Sequence, residues 1–328
     1  MIEFPLHGLC YTTAPNSDDP HNRGQLNQCT LFSEAETISL SKAAAVLEKF
    51  FTNMDRSFAV EEALEEFKTQ LSSLKSNNDY DIARVDRRFR AYVMEFRLFL
   101  DHWKKYIGDI EDESYRTAYE KLYEDVTSTA YDNNDSYVLA TVIRNYVVHG
   151  YDSINHAHIN GVDNRIFISR DRLFLINVAA SARPVIQKQD EEIDLLKVAV
   201  ESFSSLQSVH EQLVNFQISE EIGQAAVTLL NAKKQIEDAG IEAETWMIIE
   251  GQEVKEVLDY QNGMMIQKVG EDGKPVDEPR ILPRVAQGID LAYRPLNWIG
   301  YIAVAQYIAK LWQDGEWKKI QEKYLKKN

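Results

Sequence analysis

The stretch VDRRFRAYVMEFRLFLDHWKKYI, Val85 to Ile107, decides the fold class. Its apolar residues Val85, Phe89, Tyr92, Val93, Phe96, Phe99, Leu100, Trp103 and Ile107 recur at intervals of three and four, which predicts an amphipathic helix of roughly six turns with a broad apolar face. The other face is basic. Between Asp81 and Lys105 there are seven Lys or Arg (Arg84, Arg87, Arg88, Arg90, Arg97, Lys104 and Lys105) against four acids, a local charge of +3.

Toward the N-terminus the same spacing holds from Ile38 through Leu40, Ala43, Val46, Leu47, Phe50, Phe51, Met54, Phe58, Ala63, Leu64, Phe67, Leu71 and Leu74, and Ser72 to Tyr80 breaks it. Residues 1 to 30 contain Pro5, Pro15 and Pro20 among Asn, Asp and Ser, which predicts an irregular arm. Toward the C-terminus, Tyr115, Ala118, Tyr119, Leu122, Tyr123 and Val126 predict a second helix, followed by capping residues from Asp132 to Ser136. Tyr137, Leu139, Ala140, Ile143 and Val147 predict a third, stopped by Gly150.

Arg165 to Leu175 alternates at Ile166 and Ile168, as a short strand or an extended link. Leu196, Val200, Phe203, Leu206, Val209, Leu213 and Phe216 mark a nearly heptad helix that fits either the core or an oligomer seam. Beyond Ile218 a helix from Glu220 to Ala239 gives way to short apolar runs between Gly251, Asn262-Gly263 and Asp272-Gly273, which read as hairpins, and then to helices from Asn297 and from Glu316. The chain reads as mainly α, with an N-terminal arm (1–35), a helical domain (36–217) and a smaller C-terminal α+β domain containing short hairpins (218–328).

With 36 Lys or Arg against 52 Asp or Glu in 328 residues, the net charge is −16; 44% of residues are hydrophobic and 27% charged. This composition argues against collagen, wholesale disorder and a disulfide scaffold, and the charge argues against coating nucleic acid by bulk attraction. Cys10 and Cys29 have no second pair to complete a zinc site. Met1 to Leu9 lacks the pattern of a signal peptide, and the apolar run Trp298 to Ala305 is too short to cross a bilayer, so the expectation is a cytoplasmic protein without membrane contact. No phosphate-binding Gly-rich loop, Gly-x-Ser-x-Gly elbow or His-Glu-x-x-His motif occurs.

The segment Ala140-Thr141-Val142-Ile143-Arg144-Asn145-Tyr146-Val147-Val148-His149-Gly150-Tyr151 carries the chemistry. A five-residue step on a regular helix turns about 500°, which leaves Arg144 and His149 about 140° apart. Gly150 lets the helix end there and frees His149 to swing toward the groove of Arg144. A histidine of unperturbed pKa near ~6.5 can take a proton from a ribose 2′-hydroxyl at neutral pH. A forked, permanently charged arginine can hold phosphate oxygens as charge builds, and the Asn145 amide can orient either group. Such cleavage leaves a 2′,3′-cyclic phosphate and needs no metal or other cofactor.

Arg144-Asn145-x-x-x-His149 resembles the Arg-polar-x(3 to 5)-His signature of the HEPN superfamily, and Glu95 to His102 resembles the early helix of its abortive-infection members. The resemblance covers Arg84 to Asn160 best and extends at most to Gln217. It implies an up-and-down helical bundle, a homodimer that brings two motifs into one cleft, and ribonuclease activity in phage defence or growth arrest. Some members are inactive scaffolds that bind RNA, a nucleotide or a partner protein. Arg144-x4-His149-x-Tyr151 is similar to toxins in which a nucleotidyltransferase antitoxin adds AMP to the tyrosine, although those toxins are compact single domains and this chain is longer on both sides. Tyr151 is then a modification site or an active-site contact.

Plainer readings accompany these. Arg144 pairs with Asp101 or Glu95 across helices, and His149 caps the helix C-terminus. Arg84, Arg87, Arg88, Arg90 and Arg97 either bind RNA with the neighbouring aromatics or form a solvated face. His156 and His158 alternate as metal ligands would, but a solvated loop accounts for them, and Asp101-His102 reads as an inter-helix salt bridge. Residues 165 to 188 sum to +4, so two basic stretches flank the motif in sequence.

Overall fold

The computed structural model describes residues 6–12, 25–28, 32–76, 78–239, 246–266, 280–292 and 298–325. The protein is mainly helical, and the chain divides into two compact units, each discontinuous in sequence. One comprises Lys49–Gly223 with Ile308–Asn328, the other Met1–Glu48 with Gln224–Tyr307.

The first unit is built on four antiparallel rods. The rods are the C-terminal part of α1 (Glu34–Ser72), then α2 (Asp79–Gly108), then α3 (Glu113–Asn133) continued by α4 (Asp135–Val148), and finally α6 (Leu195–Gln217). Their directions follow from contacts. Phe67 of α1 meets Phe89 edge-on at 5.3 Å, whereas Asn53, earlier on α1, bonds His102, later on α2. Trp103 meets Tyr119, and Phe96 meets Tyr137, so α3 and α4 run back along α2 as one rod broken at Asn134. The break has a local cause: Asn134 Oδ1 accepts the Tyr137 N–H at 2.9 Å, starting a new helix. Asn134 Nδ2 donates to Glu201 O and Ser205 Oγ, which fastens the elbow to α6.

Buried tyrosines join the rods without leaving a polar atom stranded. Tyr92 Oη donates to Ala199 O at 2.9 Å and Tyr119 Oη to Leu213 O at 2.6 Å. Burial pushes both hydroxyls far above the ordinary phenol range. The apolar stripe of α6 is used inside this core: Leu206, Val209, Leu213 and Phe216 are buried, while Leu196 and Phe203 are half-buried and Val200 exposed. The stripe is a core element, and the oligomer seam anticipated as its alternative has no continuous exposed face.

Between α4 and α6 lies a three-stranded antiparallel sheet of β3 (His156–His158), β4 (Arg165–Ser169) and β5 (Glu192–Asp194), in the order β3-β4-β5. β4 alternates with Ile166 and Ile168 inward, and a 3-10 turn, Arg170–Leu175, and the short α5 (Arg183–Gln187) follow it. Asn164 Nδ2 donates to Leu71 O and Leu74 O, tying the turn before β4 to the end of α1. α9 (Glu316–Leu325) belongs to this unit too: Gln321 Nε2 reaches Phe216 O and Ile218 O, and Tyr324 Oη donates to Asp125 Oδ2 at 2.9 Å.

The second unit holds the start of α1, most of α7 (Glu220–Asp238), the start of α8 (Trp298–Asp314) and a four-stranded antiparallel sheet. The sheet order is β2-β1-β6-β7, from β1 (Leu6–Thr12), β2 (Gln25–Gln28), β6 (Trp246–Ile266) and β7 (Arg280–Ala292). Two expectations are corrected here. The arm contains two strands, and β1 pairs with β6 from Leu6↔Glu250 to Cys10↔Trp246. The short hairpins are one 21-residue strand paired with β7: Gly251 sits within it opposite Leu291, and Asn262-Gly263 falls in a register shift between Asp259 and Met264. Glycine marks bulges and close pairings as well as turns, so its positions alone do not count hairpins. The two compact units meet within α1, α7 and α8, whereas the sequence reading divides the chain near 218. Asp272-Gly273 lies outside the described residues.

Candidate functional site

α4 is buried except along one stripe. Ser136 to Ala140, Val142, Ile143, Tyr146 and Val147 are inside, whereas Thr141, Arg144, Asn145 and Val148, at positions i, i+3, i+4 and i+7, meet solvent partly or fully. The stripe ends at His149, the C-cap residue, whose N–H reaches Asn145 O and Tyr146 O at 3.2 Å. Gly150 follows at φ 89°, a conformation that favours glycine and stops the helix where the sequence predicts.

His149 is exposed, and among the described residues its imidazole makes no hydrogen bond or ion pair. Arg144 Nη1 donates to Asn145 Oδ1 at 3.1 Å. Arg144 Nε is buried without a hydrogen-bond partner. The cross-helix pairing considered for Arg144 does not form: Asp101 pairs with Arg97 at 2.8 Å on its own helix, and Glu95 Oε2 is itself buried without a partner. Within one chain Arg144 and Asn145 are brought together, and among the described residues no side-chain hydrogen bond joins either to the His149 imidazole. Tyr151 turns back to stack on Tyr146, with centroids 4.7 Å apart and planes at 19°, and stays 37% exposed.

The chain just beyond His149 is held by a buried carboxylate. Asp86, 8% exposed, accepts from Ser153 N at 2.9 Å, Ile154 N at 3.2 Å, Ser153 Oγ and Arg90 Nε. Arg90 also pairs with Asp152 at 2.8 Å. Sequence reasoning missed this clamp, although an acid on the apolar side of α2, one turn before Phe89, was a visible signal. It also missed Arg172; burial raises the pKa of the Tyr146 hydroxyl, and the nearby arginine opposes the rise.

Three of the seven cations in the basic stretch of α2 are paired with acids among the described residues. Arg88 pairs with Glu66, Arg90 with Asp86 and Asp152, and Arg97 with Asp101, while Arg84 and Arg87 are exposed with no ion pair among the described residues. Residues 165 to 188 are similarly offset, Arg165 by Asp163, Arg170 by Asp171 and Lys188 by Asp135. One cation from each stretch, Arg90 and Arg172, reaches the end of α4.

Two histidine expectations change. His156 and His158 lie on strand β3 rather than in a loop, with His156 Nδ1 3.7 Å from Glu192 Oε1. Asp101-His102 forms no inter-helix salt bridge: His102 Nε2 bonds Asn53 Oδ1 at 2.7 Å, and burial lowers its pKa. Among the described residues no group of three or more His, Cys, Asp or Glu is placed to hold a metal ion, and no helix is long and apolar enough to cross a membrane. A cleft of about 170 Å³ between α1 and α7 in the second unit is lined by Phe32, Glu36, Ser39 and Asn231 among others, and Glu36 there is engaged in capping α1 through Ser33. The chain matches no known protein family, no characterised protein and no solved structure in comparisons with all three.

Proposed function

We propose that the protein is a metal-independent endoribonuclease of the HEPN type, acting in the cytoplasm in defence or growth arrest. The observation that carries the reading is Arg144, a permanent cation at the solvent edge of a buried helix with a buried Nε donor that no carboxylate satisfies. A phosphate can pair with the guanidinium, whose charge no acid neutralises among the described residues. His149, one turn on and open to solvent, is accessible to a ribose.

In this mechanism neutral His149 takes the 2′-hydroxyl proton, the 2′-oxygen bonds to phosphorus, and the 5′-oxygen leaves with a proton from solvent. Arg144 holds the non-bridging oxygens as their charge grows, and Asn145, bonded to Arg144, fixes the guanidinium. Because no hydrogen bond joins the Arg144 and His149 side chains within one chain, a homodimer in which the α4 end of one copy faces that of another is part of the proposal. A nucleotidyltransferase acting on Tyr151 would block the same surface.

The test is cleavage of RNA in EDTA by purified protein. Wild type yields shortened RNA; Arg144→Ala and His149→Ala lose at least a hundredfold in rate. Binding without cutting by wild type identifies an inactive scaffold instead, and equal cutting by His149→Ala removes it as the base.

A further inference from the structure

The 3-10 turn after β4 places a second cation beside the proposed catalytic segment. Arg172 and Arg170 are neighbours on this turn with opposite circumstances. Arg170 is engaged by Asp171 and Gln189 O, whereas Arg172 is exposed, has no ion pair among the described residues, and lies on a turn packed against α4, where its charge acts on the Tyr146 hydroxyl. Tyr146 is the link between them. Its ring, buried in the unit, stacks on Tyr151, and its hydroxyl lies within the electrostatic influence of Arg172. It lies two residues after Arg144 and three before His149.

The surroundings supply apolar surface for a base. Val148 on α4 is 54% exposed, Leu175 on the 3-10 turn that packs against α4 60%, and Tyr151, stacked on Tyr146 of α4, 37%. An unpaired guanidinium beside an exposed aromatic ring is the combination that holds single-stranded nucleic acid, since the cation takes a phosphate and the ring stacks a base of any sequence. The protein's charge of −16 directs such binding to places where cations are not already matched by acids. Arg172 is such a place.

We propose that Arg172 and Tyr151 form the substrate-holding subsite for single-stranded RNA, Arg172 taking a phosphate next to the one cleaved and Tyr151 stacking the adjoining base. This rests on the ribonuclease reading and adds to it a positioning residue outside the motif. Arg172 binds RNA and takes no part in the proton transfer.

The experiment measures fluorescence anisotropy of a labelled twelve-nucleotide single-stranded RNA with the full-length protein carrying His149→Ala, so that no strand is cut. In that background Arg172→Ala weakens binding about tenfold and lowers the slope of log affinity against log salt by about one, while Tyr151→Ala weakens it about tenfold and Tyr151→Phe less than twofold. Lys121→Ala, an exposed cation on α3 near the other end of α2, serves as the control and changes neither. Should Arg172→Ala fail to fold, Arg172→Gln removes the charge while keeping a polar side chain and carries the same expectation. Binding within twofold of the parent for Arg172→Ala, or no RNA binding by the parent, overturns the inference. So does a changed oligomeric state with RNA binding intact, which marks the turn as an interface between copies. Loss of cleavage in the wild type with this binding pattern preserved refutes the nuclease reading alone.

Discussion

Replacing Asp86 with alanine tests the clamp behind the candidate site. The substitution strips the acceptor from the Ser153 and Ile154 amides, from Ser153 Oγ and from the Arg90 Nε–H. Ser153 is fully buried, so water does not readily replace the lost acceptor. Stranded donors cost about 1–3 kcal/mol, and breaking a buried charge pair about 3–5 kcal/mol. Arg90 retains Asp152, which places the expected local loss near ~3 kcal/mol. At about 1.4 kcal/mol per decade this is roughly a 150-fold faster opening of the 152–154 segment. Amide hydrogen exchange reads it directly: Ser153 and Ile154 lose about two decades of protection in Asp86→Ala, and about one in Asp86→Asn, which keeps an acceptor but not the charge. Amides exchanging within twofold of wild type would show that Asp86 does not hold this segment.

Three further substitutions probe separate parts of the fold. His210 is buried against Met54, Phe99 and Trp103, and desolvation pushes its pKa down to about 3. An unfolded histidine binds a proton below about 6.5, so stability is lost as pH falls from about 6.5 toward 3, and urea midpoints of His210→Gln decline less over that range than those of wild type. A Cβ on Gly223 would come within 2.2 Å of the Trp312 ring, so Gly223→Ala costs about 1–3 kcal/mol in denaturant unfolding; an unchanged midpoint contradicts that packing. Gly150→Ala meets no atom within 4 Å but must hold φ 89°, so it lowers stability by about 1–2 kcal/mol, and a rise in Tm contradicts the left-handed cap.

How much of this was legible depends on whether the signal was local. The apolar period from Val85 to Ile107 marks α2 because a helix's buried face is set by residues three and four apart, and all nine residues named there are buried. The start of α1 carried a readable signal as well: Ser33 and Glu36 form a reciprocal capping box, with Glu36 Oε2 accepting from Ser33 N at 2.8 Å. The pairing of β1 with β6 joins residues about 240 positions apart, which no local period encodes. At the site, Gly150 showed where α4 ends, but the partners of Arg97, Arg90 and His102 depend on side chains that tertiary packing delivers. Asp101 illustrates this: an inter-helix partner was expected, and Arg97, one turn away on the same helix, takes it first.

The most direct measurement is the fate, in EDTA, of an RNA that the protein cuts at a mapped position, compared with the same RNA bearing a single 2′-deoxynucleotide on the 5′ side of that bond. Attack by the 2′-oxygen predicts that the all-ribose strand yields a 2′,3′-cyclic phosphate end by mass spectrometry and that the substituted strand stays whole at that bond. Cleavage of both strands at the same position, or ends without a cyclic phosphate, contradicts the mechanism assigned to Arg144 and His149.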